Sequence, residues 1–306
     1  MYSMCSRINY SAMGKKSGPR KAHQFGGIWT EQKLAALKKY LVAYQTIFKQ
    51  NLAAQHYRTI YVDAFAGTGA RLITSSPQLL ELREDEVAYK NGSVRVALEL
   101  PRTFDRYVFI ERKRIFVTEL GRMIAADFAQ LMDHCEIHRA EANSFLTSWC
   151  ALQDWRATRA VVFLDPYGMT VEWRTIKALA RTKGVDLWIL LPVGVGIYRV
   201  LVRGGLPTPV WGKRLTRLFG TADWAQTFYE PVGQHDMFTG DAAQVEKVAD
   251  FNAISAFFIK RLQTLFPYVA DKPRHLMNSK KNPLFALHFA SHNKTGLKIA
   301  NHILTH

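Results

Sequence analysis

Thr59-Ile-Tyr-Val-Asp63-Ala-Phe-Ala-Gly67-Thr-Gly69 decides the fold. Residues 59–65 are a short run rich in β-branched and aromatic side chains, the pattern of a strand buried on both faces. Gly67 and Gly69 follow at once. Without a Cβ they let the chain turn sharply and approach a ligand closely. A strand that ends in such a turn marks the ligand edge of an open α/β sheet. A dinucleotide site would have a third glycine at G-x-G-x-x-G spacing and a helix directly afterwards. Here position 72 is Leu, and residues 70–91 read as a polar insertion containing Glu81, Glu84, Asp85 and Glu86.

Strand and helix alternate on both sides of this stretch. Upstream, a helix opens at Trp29, with Thr30 as its expected N-cap and Leu34, Leu37, Leu41, Tyr44 and Phe48 at helical spacing. Downstream, the pattern predicts strands over 106–111, 136–140, 160–165 and 186–192. Helices are predicted over 94–100, capped by Ser93, and over 115–131, 144–152 and 171–181. Units of this length imply an α/β fold of Rossmann type: a mostly parallel sheet with helices on both faces. Residues 193–270 break the alternation and read as an inserted, mostly helical module. Strands over 275–278 and 284–291 follow, joined by a turn at Lys280-Lys281, and then a helix over 296–304. The domain is thus expected to comprise residues 25–192 and 271–306, the last strand running antiparallel.

Composition bounds the function. The chain has 306 residues, 48% hydrophobic and 22% charged, enough for a large core and too apolar for a disordered protein. A formal net charge of +16 points to a polyanionic partner, nucleic acid being the commonest. Cys5, Cys135 and Cys150 form neither a disulfide framework nor a spaced metal site. Free thiols suggest a reducing compartment, and a cytoplasmic protein is expected. No apolar run is long enough to span a membrane. Residues 1–24 carry Arg7, Lys15, Lys16, Arg20 and Lys21 and no acid. They read as a flexible basic arm or a surplus start, with Met4 and Met13 as alternative starts.

Four strand ends carry the candidate chemistry. Asp63, Phe65, Gly67 and Gly69 occupy the first. Glu111 ends the second, where a carboxylate can accept both hydroxyls of a ribose. Glu141-Ala142-Asn143 ends the third and suits either a ligand edge or a helix cap from Asn143 or Ser144. Phe163-Leu-Asp165-Pro166-Tyr167-Gly168 ends the fourth. There a carboxylate and the Pro166 carbonyl can accept hydrogen bonds from an amine, while Tyr167 can stack on a base. An ordinary strand-to-helix turn is the other reading of Pro-Tyr-Gly. Two basic elements suit phosphate neutralisation. One comprises Arg199, Arg203, Lys213, Arg214 and Arg217, interleaved with Tyr198, Trp211 and Phe219 in an acid-free stretch; the other is Lys280 with Lys281. The histidines, His288 and His292 among them, show no metal-ligand pattern, and no metal is expected.

The Asp-x-Phe-x-Gly-x-Gly form at 63–69 resembles motif I of class I methyltransferases. Asp165-Pro-Tyr-Gly168 resembles the signature of enzymes that methylate exocyclic base amines. With Gly26-Gly-Ile-Trp-Thr-Glu-Gln-Lys33, Phe109-Ile-Glu111 and Leu284-Phe-Ala-Leu-His-Phe289, the chain looks like the three-Cys-motif partner family (TcmP) over most of residues 23–304. The resemblance implies a methyltransferase-like fold and S-adenosylmethionine as cofactor. The methionine moiety would lie on Asp63 and the Gly67–Gly69 turn, with Lys33 or Trp29 near it. Glu111 would hold the ribose, and Glu141, Ala142 and Asn143 would meet the adenine. Asp165, Pro166 and Tyr167 would present the target. It also implies a radical-SAM-like partner protein carrying the three cysteines. The expected function is methylation of an exocyclic amine of a DNA or RNA base. The alternative is a non-catalytic, nucleic-acid-binding subunit of that partner.

Overall fold

The computed structural model describes residues 28–68, 92–232 and 245–306. Gly69, the insertion at 70–91 and the basic arm at 1–24 lie outside the described residues. The chain opens with α1 (Ile28–Gln50), β1 (Arg58–Asp63), α2 (Ser93–Leu98), β2 (Arg106–Glu111) and α3 (Arg114–Asp127). Then come β3 (Cys135–Arg139), α4 (Ala142–Leu152), β4 (Thr158–Leu164), α5 (Trp173–Arg181) and β5 (Val185–Leu191). A π-helical turn at Val193–Tyr198 leads to α6 (Pro209–Phe219), α7 (Trp224–Phe228) and the small pair β6 (Tyr229–Pro231) and β7 (Val245–Lys247). The chain closes with α8 (Phe251–Gln263), β8 (Tyr268–Val269), β9 (Arg274–Met277), β10 (Pro283–Ser291) and α9 (Lys294–Thr305).

The main sheet runs β3-β2-β1-β4-β5-β10, with β8 and β9 both pairing along the outer edge of β10. Strands β1 to β5 are mutually parallel, and β10 is antiparallel to β5. The chain winds outward through β2 and β3, then returns to β4 on the other side of β1. That reversal opens a crevice at the carboxyl ends of β1 and β4, the place where doubly wound sheets bind ligands. The expected Rossmann-like sheet with an antiparallel last strand is the one observed.

Both faces of the sheet are covered, which is why its strands read as near-continuous apolar runs. Ile60 and Val62 point into one core with Trp149, Ile176, Phe219 and Phe258. Tyr61 points into the other with Leu37, Tyr40, Ile124 and Ile303. On that second face Tyr40, Trp188 and Phe289 meet as a triangle of rings with centroids 5.1–5.2 Å apart. Phe289 is also the register partner of Trp188, so the ring contact helps fix how β10 pairs with β5. The residues of α6, α7 and α8 share the first core with the sheet: Leu215, Leu218, Phe228 and Leu262 belong to one cluster with Val162.

Three local expectations are revised. Thr30 lies inside α1, which begins at Ile28; its hydroxyl is buried with no hydrogen-bond partner among the described residues. Ser93 opens α2 without capping it, because Gly92 holds the cap position at φ 132°. The predicted helix over 115–131 ends at Asp127, where Phe128 leaves helical geometry (φ −138°, ψ 37°) and buries its ring. A short 3-10 helix, Ala129–His134, replaces the last turn.

Candidate functional site

The turn after β1 is built for close approach. Gly67 sits at φ 62°, the left-handed region that a side chain disfavours. Its amide donates to Glu111 Oε2 at 3.1 Å, and the Lys113 amide donates to Oε1 at 2.8 Å. Glu111 is 4% exposed, so it is no surface glutamate despite its basic neighbours Arg112, Lys113 and Arg114. Backbone bonds from Ala66 to Ile110 and from Ala64 to Phe163 knit the β1 turn to β2 and β4.

Below that turn lies a buried group of three charges. Lys33 of α1 donates to Asp165 Oδ2 at 2.5 Å, both side chains being almost wholly buried (2% and 4% exposed). The Lys33 ammonium also lies 5.5 Å from the Trp29 ring. Asp165 Oδ1 is buried and has no hydrogen-bond partner among the described residues. Asp63 accepts from the Phe65 amide at 3.2 Å and from the Tyr61 hydroxyl at 3.4 Å. Burial pushes the Asp63 carboxyl up to about 6; a hydrogen bond with Ser93 opposes this, and the charge of Asp165 adds to it. Ser93 was expected only as a cap. Its role at Asp63 has no signature in the sequence, because the two residues are 30 positions apart and meet only when α2 packs beside β1.

Glu141 is the N-cap of α4, accepting from the amides of Asn143 (3.0 Å) and Ser144 (2.9 Å). Burial raises its carboxyl, but those amides outweigh burial and hold it below the ordinary value. Asn143 is committed on all sides. Its Nδ2 donates to Glu141 Oε1 and the Thr170 carbonyl, and its Oδ1 accepts from the Glu172 amide and the Thr175 hydroxyl. It fastens α4 to the loop before α5, so the cap at this strand end comes from Glu141 and not from Asn143 or Ser144.

These strand ends floor one wall of a cleft of about 1100 Å³, lined there by Phe65, Glu111, Ala142, Asn143 and Tyr167. Tyr167 is 48% exposed, and Gly168 turns the chain after it at φ 65°. Asp63 and Asp165 do not line the cleft, although their neighbours Ala64, Phe65 and Tyr167 do. A second part of the lining comes from the π-helical turn and α6: Val195, Gly196, Arg199, Trp211, Arg214 and Arg217. Gly194 lets that turn press against β10, since a Cβ there would stand 1.9 Å from the Pro283 carbonyl oxygen. The glycine pair Gly194 and Gly196, directly after the carboxyl end of β5, was the signal that could have found this wall.

Arg203 and Lys213 are exposed but outside the cleft lining. Lys280 and Lys281 sit on the β9–β10 turn. They lie on the site's side of the sheet, because the start of β10 pairs beside the end of β5, but they do not line the cleft. The turn is pinned by Asn278, whose Oδ1 accepts from the Lys280 and Asn282 amides. His288 is fully buried against Phe258 with no hydrogen-bond partner for either ring nitrogen among the described residues, and burial pushes it down to about 3. Among the described residues, no three His, Cys, Asp or Glu side chains come together as a metal site. Among them too, no helix is long and apolar enough to cross a membrane.

No family model matches the chain, and no curated protein matches it. Solved structures with a similar course include a Legionella pneumophila protein (11% identity, 89% of this chain and 91% of that one, TM-score 0.45). Trm1 from Pyrococcus horikoshii, in complex with S-adenosyl-L-methionine, shares 11% identity over 89% of this chain and 58% of that one, with a TM-score of 0.39. Spermidine synthase from Thermotoga maritima shares 9% over 86% and 62%, with a TM-score of 0.37. Likenesses this loose carry no argument of their own, and the fold rests on the strand order and register given above.

Proposed function

We propose that this chain is an S-adenosylmethionine-dependent methyltransferase acting on an exocyclic amine of a nucleic-acid base. The observation that carries the reading is Asp165 Oδ1, a buried acceptor without a partner among the described residues, two residues before the exposed ring of Tyr167. Buried acceptors in folded proteins are seldom left unmet. Asp165 lies just behind the Tyr167 lining of the cleft, so an N–H of the target amine would meet this acceptor once the Tyr167 loop gives way.

The residues present fit the cofactor. Glu111 presents a buried carboxylate at the end of β2, oriented by two backbone amides, where the ribose hydroxyls would bind. Asp63, held near 6 by burial, is stabilised as an anion by an ammonium such as that of the methionine moiety. Phe65, Gly67 and Gly69 would shape the seat of that moiety, and Glu141, Ala142 and Asn143 would line the adenine edge. S-adenosylmethionine supplies an electrophilic methyl group on a sulfonium, so alignment matters more than a strong base. Asp165 Oδ1 and the Pro166 carbonyl would accept the two amine N–H groups and localise the nitrogen lone pair. Lys33, expected at the cofactor's methionine end, would instead fix the Asp165 carboxylate through Oδ2. Tyr167 would stack on the base.

Calorimetry with S-adenosylmethionine and mass spectrometry of nucleosides from nucleic acid incubated with protein and cofactor test this. Asp165→Asn is expected to keep cofactor binding and to lower methyl transfer by roughly 100-fold or more. Absence of cofactor binding by the wild type overturns the reading. A second reading, a non-catalytic nucleic-acid-binding subunit of a radical-SAM-like three-Cys-motif protein, draws support from the Lys33 ammonium that already neutralises Asp165. It predicts that Asp165→Asn leaves the activity of the pair unchanged.

A further inference from the structure

Five basic side chains between 199 and 217 look equivalent in the sequence, and the fold divides them. Arg199, Arg214 and Arg217 line the cleft with Trp211; Arg203 and Lys213 do not. Positions 211, 214 and 217 recur every three residues on α6, which sets them on one helical face, while Leu215, Leu218 and Phe219 fill the core. The Arg214 guanidinium lies 4.6 Å from the Trp211 ring centroid, which holds its planar head in place. Among the described residues none of these three arginines makes an ion pair. The acids of the cleft are engaged elsewhere: Glu111 with backbone amides, Glu141 with the start of α4, and Glu172 with Arg174 at 2.5 Å. A cleft of about 1100 Å³ stands at the upper end of the roughly 300–1,000 Å³ typical of small-ligand sites.

We infer that Arg199, Arg214 and Arg217 form a phosphate clamp for a single-stranded or locally unpaired polynucleotide, holding the backbone beside the nucleotide whose base meets Tyr167. This rests on the proposed nucleic-acid substrate and adds its form and its anchor. Guanidiniums grip phosphate oxygens in pairs, and three on one wall neutralise a bent backbone rather than a lone anion. The base beside them must be unstacked to reach Tyr167, and an aromatic face accepts any base.

Fluorescence anisotropy with labelled 15-nucleotide RNA and DNA, single-stranded and duplex, between 50 and 200 mM salt, tests the clamp. The triple variant Arg199→Gln/Arg214→Gln/Arg217→Gln is expected to weaken single-strand binding by about 100-fold and to lower the salt slope by about 2. The control Arg203→Gln/Lys213→Gln is expected to cost less than about 3-fold. Each clamp arginine changed alone is expected to cost about 5-fold, so the test survives if the triple variant does not fold. Equal losses in control and triple variant, a triple variant that binds like the wild type, or tighter binding of duplex than single strand each overturn the clamp. Cofactor affinity, measured in parallel, is expected to be the same in all variants. If the arginine pattern holds but no base is methylated, the clamp stands and the methyltransferase reading fails.

Discussion

The two walls of the cleft are built on opposite principles. The strand-end wall rests on Asp63, Glu111 and Asp165, which are buried and held by Ser93, Gly67, Lys113 and Lys33 before any ligand arrives. The helical wall offers Arg199, Arg214 and Arg217, exposed guanidiniums without ion pairs among the described residues. Groups that must be oriented to within fractions of an ångström are worth burying, because packing locks their rotamers. Groups that neutralise a backbone serve best exposed, where long side chains follow the ligand at little desolvation cost. Stability and ligand binding are therefore expected to separate cleanly between the walls.

The largest break in that contrast comes from Lys33→Met, which strands the Asp165 carboxylate in the interior. Removing one partner of a buried pair costs about 3–5 kcal/mol. Urea unfolding is expected to show a loss of that size, and Lys33→Met/Asp165→Leu is expected to recover most of it. A double variant as unstable as the single would mean that the pair does not act as a unit.

Next comes the pH dependence of Asp63. Its folded value is raised from 3.8 to about 6, so the native state binds more protons than the unfolded chain between those values. Stability from this group therefore falls as pH rises from about 4 to 6 and stays reduced above, by about 3 kcal/mol. Asp63→Asn removes that slope. The difference between its unfolding free energy and that of the wild type is expected to change by about this amount between pH 4 and pH 8. A flat difference would show that Asp63 titrates normally.

The smallest effect falls on the other wall. Arg199→Gln, Arg214→Gln and Arg217→Gln are each expected to shift unfolding free energy by less than about 0.5 kcal/mol, as exposed positions do. A larger loss at Arg214 would mean that its contact with Trp211 holds α6 in place.

Much of this was legible from the chain alone. The apolar runs at 59–65, 160–165 and 186–192 identified central strands, because a strand covered on both faces has no room for polar alternation. The glycine turn after the first run marked one edge of the sheet as the candidate site, and Asp63, Glu111 and Asp165 all stand at strand ends on that edge. The caps were less legible. Thr30 and Ser93 have the right chemistry for capping, but α1 starts two residues before Thr30 and Gly92 takes the cap position ahead of Ser93.

By itself, then, the sequence determined the order of strands and helices and the edge of the sheet on which the candidate site lies, because periodicity and turn residues act over a few positions. Tertiary structure alone decided the pairing of Lys33 with Asp165 and of Ser93 with Asp63, and the division of the basic residues into those that face the cleft and those that do not. These depend on contacts between segments 30 to 132 residues apart in the chain, and no local pattern records which distant side chain will share a buried site.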